Sequence, residues 1–115
     1  MKHAILTNAM ALATLTTACA QQSPADANAA AMVDAADRRA DQIEAEADMR
    51  ADVPQNQADQ LEMQATNAGG YTGERLKTRA DALDREADII EDQGEAKAGA
   101  IKDAAKAEAD RVRAR

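Results

Sequence analysis

The sequence predicts an all-α protein: two long helices folded into an antiparallel, coiled-coil-like helical hairpin, with the first helix kinked at Pro54. Three observations carry this. Apolar or small residues recur every three or four positions on both sides of a glycine cluster, which is the spacing of one helix face. Of the 115 residues 31 are Ala, Phe and Trp are absent and Tyr71 is the only aromatic, so the 45% hydrophobic fraction supplies helix propensity rather than core volume. Finally, residues 39–52 match residues 79–92 at seven of fourteen positions with an offset of forty, the mark of one helical unit used twice.

Taken in chain order, residues 1–20 read as an export signal. Lys2 and His3 form a polar start, Ala4 to Thr17 a mildly apolar run, and small residues surround Cys19. The run is too short and too rich in Thr for a membrane span. Two processing routes fit. Ala18 and Ala20 satisfy the small-x-small pattern for cleavage after Ala20, which discards Cys19 and leaves a soluble periplasmic protein. Alternatively, Leu15-Thr16-Thr17-Ala18-Cys19 resembles the bacterial lipoprotein signal, with Thr16 standing where that family prefers Leu. The resemblance implies that Cys19 is lipidated as the first residue of the mature chain. Ala20 after it then implies the inner leaflet of the outer membrane, facing the periplasm. Cys19 is the single Cys, so no disulfide partner exists within the chain.

Residues 21–24 form a short tether, in which Ser23 can cap a helix and Pro24 suits its first position. The first helix is expected over 25–68, where a stripe runs through Met32, Ile43 and Leu61 with Ala between them. Pro54 lacks an amide hydrogen and disfavours the helical region for Val53, which predicts the kink. The stripe keeps its phase across Pro54, so a domain boundary is not expected there. Gly69-Gly70-Tyr71-Thr72-Gly73 predicts a turn over 69–73, with Thr72 capping the helix that follows. The second helix is expected over 74–115, with Leu76, Leu83, Ile90, Ile101 and Val112 on its stripe. Ile90, Ile101 and Val112 recur every eleven residues, a period that barely drifts around a straight helix. Arms of nearly equal length, each about 64 Å at 1.5 Å per residue, make the hairpin.

The formal charge of −7, from 14 basic and 21 acidic residues, argues against a nucleic-acid partner. Charge is also uneven. Asp26 to Ala96 holds seven basic and eighteen acidic residues, while Lys97 to Arg115 holds six basic against Asp103, Glu108 and Asp110. Basic residues in the last turn, Arg111, Arg113 and Arg115, suit a helix C-terminus.

No catalytic constellation is expected. His3 lies in the signal, and Ser23 is a cap with no base beside it. Asp84, Asp88, Glu91, Asp92 and Glu95 read as a solvated acidic flank, since no loop alternates oxygen ligands as a calcium site requires. Met32, Met49 and Met63 read as packing residues rather than soft-metal ligands. The expectation is a protein that is not an enzyme, with no metal, no cofactor and no small-molecule substrate. Its expected partners are a membrane, through a lipid anchor, and further copies of itself in a helical bundle. A bundle would widen a stripe that is mostly Ala, because a lone Ala seam buries little area against the cost of ordering the chain.

By its signal and helical body the chain resembles the small helical lipoproteins of the bacterial envelope, which implies an anchored spacer or scaffold. More weakly, the segments Ile90 to Ala100 and Ile101 to Arg111 resemble the eleven-residue repeats of late-embryogenesis-abundant and apolipoprotein-like chains. That second resemblance implies an amphipathic lipid-binding or stress-protective helix.

Overall fold

The computed structural model describes residues 23–115. These residues form two α-helices and no strand. The first, α1, spans Pro24–Ala68 and the second, α2, spans Gly70–Arg113. At 1.5 Å per residue each arm is about 66 Å long.

Local chemistry sets both ends of α1. The Asp26 amide donates to Ser23 Oγ at 3.1 Å, and Ser23 Oγ donates to the Asp26 carboxylate at 2.7 Å. One of the free amides of the first turn is thereby satisfied, while Pro24 occupies a position that needs none. The helix then runs without a break through Pro54. The proline leaves the Arg50 carbonyl without its usual amide donor, and its ring is buried against the other arm.

The turn is tighter than the glycine cluster suggests. Instead of a loop over 69–73, one residue joins the helices. Gly69 has φ 61° and ψ 177°, a region open essentially to glycine alone. Its amide donates to the Ala65 carbonyl at 3.0 Å and its carbonyl accepts from the Gly73 amide at 2.9 Å, so one residue closes α1 and opens α2. Gly70, at φ 54°, completes the reversal. Thr72 therefore lies inside the first turn of α2, exposed, and no side chain caps that helix.

The arms pack antiparallel along their whole length. Three contacts record the register: Asp26 with Arg113 at the open end, Ala47 with Gly94 at the waist, and Ala65 with Gly73 beside the tip. The seam is made of small residues. Ala29, Ala40, Ala47, Ala51, Pro54 and Ala58 are buried on α1, and Gly73, Ala80, Ala87, Gly94, Ala98 and Ala109 on α2. No large side chain is fully buried among the described residues.

Two glycines are required by close approach. A Cβ on Gly73 would lie 2.6 Å from the Ala65 carbonyl oxygen, and one on Gly94 would collide with the Cβ of Ala47. From Gly73 through Ala80 and Ala87 to Gly94 the buried positions step by seven, as in a coiled-coil seam. Between Ala98 and Ala109, and opposite them between Ala29 and Ala40, the step is eleven. The seam thus changes period at the same level on both arms.

Candidate functional site

A rod two helices wide has no interior cleft, so its functional surface is its flanks and ends. Ala47 lines grooves on both sides of the seam and so marks the centre line. On one side the waist groove is formed by Ile43, Glu46, Arg50, Ile90, Gln93 and Lys97. Towards the tip it continues along Gln57, Leu61, Gln64, Arg79 and Leu83. On the other side the groove is formed by Glu44, Asp48, Glu91 and Glu95. The hairpin therefore has an aliphatic flank and an acidic flank.

All eight large residues of the sequence stripe are half-buried: Met32, Ile43, Leu61, Leu76, Leu83, Ile90, Ile101 and Val112. They flank the seam rather than fill it. With about 100° of rotation per residue, an offset of seven or eleven returns to nearly the same direction. Met32 accordingly follows Ile43, Leu76 follows Leu83 and Ile101 follows Ile90 onto the aliphatic flank. The centre line is left to Ala and Gly, whose lack of bulk lets the two backbones approach.

The acidic flank is only partly neutralised. Lys102 reaches across the seam to Asp41 at 3.8 Å and Glu44 at 3.6 Å, and at the open end Arg113 reaches Asp26 at 3.8 Å. These pairs are solvent-exposed and contribute at most about 1 kcal/mol each. Their chief effect is to favour one register. The waist, residues 41–54 and 84–97, carries eleven acidic residues against Arg50, Arg85 and Lys97. Among the described residues no group of three or more His, Cys, Asp or Glu is arranged to hold a metal ion. The spacing of Lys102 from Asp41 and Glu44 in sequence gives no sign of these cross-arm pairs. Only the folded register brings them together.

At the tip, Glu62, Thr66, Glu74 and Lys77 rim a shallow recess floored by Gly69, Gly70 and Gly73. Tyr71 stands out of the rod, 75% exposed, with the Arg75 guanidinium carbon 5.9 Å from its ring centroid. Met49, Val53, Met63 and Ile89 are also exposed, on the outer sides of the arms. No described helix is long and apolar enough to cross a membrane. Cys19, the expected lipidation residue, lies outside the described residues, as does the rest of the expected signal over 1–20. Comparison with family models, with curated proteins and with solved structures gives no match.

Proposed function

We infer that this chain is a non-enzymatic structural or interaction protein of the bacterial cell envelope, a lipid-anchored helical spacer or scaffold. The observation that supports it best is one of position: the single cysteine stands four residues before Ser23, the cap at which the rod begins. A diacylated residue there tethers the open end of the hairpin to the inner leaflet of the outer membrane. Because Arg113 pairs with Asp26, α2 ends at the same level as α1 begins, so both lie at the membrane. The glycine tip with Tyr71 and Arg75 is then the distal end, about 66 Å into the periplasm.

The anchor is tested by growing cells with a radiolabelled fatty acid and weighing the mature protein. Label in the wild type, none in Cys19→Ser, and an intact mass that starts at an acylated Cys19 are the expected results. A mature chain that starts at Gln21 without label overturns the anchor and leaves a soluble periplasmic rod.

The eleven-residue steps at the open end favour a second reading, an amphipathic lipid-binding or stress-protective helix. Circular dichroism separates the two. Cooperative helix in plain buffer supports the spacer, whereas helix that appears only with anionic vesicles or on drying supports the second reading.

A further inference from the structure

We propose that the aliphatic flank is the docking surface for a second copy of this chain, which packs flank to flank to make a four-helix bundle. The hairpin's own seam is finished with Ala, Gly and Pro, and no large side chain is fully buried in it. Ile43, Leu61, Leu83 and Ile90 are left half-exposed, all on one side. A third and fourth helix laid against that side would bury them.

Area and charge both favour a second copy as the occupant. The flank is about 66 Å long and about 18 Å wide, given helices packed 8–10 Å apart. Full overlap of two such faces buries about 2,400 Å² in total, above the roughly 1,600 Å² of an ordinary stable interface. The excess of acid sits on the opposite flank, around Glu44, Asp48, Glu91 and Glu95. Flank-to-flank packing therefore turns the two acidic surfaces outward, as far apart as the assembly allows, despite the net charge of −7 per chain.

Between the aliphatics stand Gln57, Gln64 and Gln93, with Glu46 and Arg50 at the waist. Each amide both donates and accepts, and the single acid, Glu46, meets a flank that also carries Arg50, Arg79 and Lys97, so each copy offers the other polar partners along the aliphatic face. A lipid surface is the poorer occupant, because the flank has no Trp or Phe and its aliphatics are spaced by polar side chains. The docking needs no anchor, so loss of lipidation at Cys19 leaves it standing.

Sedimentation equilibrium of the full chain, with Cys19→Ser to exclude disulfides and lipid, reads the assembly directly. The expected mass is twice 12.2 kDa. The Ile43→Lys/Ile90→Lys variant should return the monomer with its helical signal intact, while Asp48→Lys/Asp88→Lys on the acidic flank should stay dimeric. Hydroxyl-radical footprinting of the unsubstituted flank covers the case in which the isoleucine variant fails to fold. Ile90 should gain several-fold protection as concentration rises, and its neighbour Ile89, on the outer side of α2, should gain none. A monomer at every soluble concentration overturns the proposal. So does a dimer that survives the folded isoleucine variant, or protection of Ile90 that needs phosphatidylglycerol vesicles.

Discussion

Gly94→Ala probes the contact on which the packing turns. On an isolated helix the change gains about 1 kcal/mol, because Ala outranks Gly in helix propensity by that amount. In this hairpin the new methyl would occupy the space of the Ala47 Cβ, with the Ala47 Cα and the Ile43 carbonyl oxygen each 3.8 Å away. Relief requires the arms to separate at the waist, and overpacking of that kind costs about 1–3 kcal/mol. The net expectation is a loss of up to about 2 kcal/mol.

Gly99 provides the internal control. It lies five residues on in the same helix with nothing within 4 Å of its own would-be Cβ, so Gly99→Ala should keep the full gain of about 1 kcal/mol. Thermal unfolding followed by far-ultraviolet circular dichroism, at one fixed protein concentration, measures both. One kcal/mol moves the midpoint by about 4–8 °C in a domain of this size, so the two variants should shift in opposite directions. Ala47→Gly added to Gly94→Ala moves the methyl from one arm to the other and should restore the wild-type midpoint. Equal increases for Gly94→Ala and Gly99→Ala would show that the arms do not meet at this level, and the register described above would be wrong.

Two other substitutions test the backbone. Gly69→Ala forces a side chain into a conformation at φ 61°, ψ 177° that only glycine adopts freely, and should cost about 1–3 kcal/mol in the same melt. Pro54→Ala returns an amide donor to the Arg50 carbonyl and removes a penalty of about 3 kcal/mol, less about 1.5 kcal/mol for the buried ring methylenes lost. The midpoint should rise. A fall would mean that the ring fills the seam better than a helical hydrogen bond would serve it.

The hairpin was legible because helical spacing survives any composition. Residues that recur at three and four must share a face, and the glycine cluster could only be a turn. The length of the turn was less legible. Five residues suggested a loop, but whether Gly69 alone can reverse the chain depends on a φ and ψ that the sequence does not display. The division of labour within the stripe was hidden for another reason. A stripe of three-four spacing is about 100° wide, so Ala47 and Ile43 belong to it equally. What puts Ala47 on the centre line and Ile43 at its edge is the close approach of the opposing arm at Gly94. The eleven-residue period of Ile90, Ile101 and Val112 is conspicuous because those side chains are large. The smaller residues, stepping by seven from Gly73 to Gly94, carry the contact.

The repeat shows where the two arms of the seam differ. An offset of forty superimposes Ala40 on Ala80, Ala47 on Ala87, Pro54 on Gly94 and Ala58 on Ala98, and all eight residues are buried. In an antiparallel pair such an offset amounts to a pseudo-two-fold axis through the waist. The contact of Ala47 with Gly94 then has a counterpart at the level of Ala87 and Pro54. Three of these four pairs are Ala in both arms. The fourth is not, and its two members are the poorest helix formers available, one without a side chain and one without an amide hydrogen. Gly94 faces Ala47 with no room for a methyl of its own, whereas Pro54 keeps its Cβ and a larger ring in a buried position. It follows that Gly94 and Pro54 should differ in kind: the glycine is required by space, whereas the proline is tolerated by it.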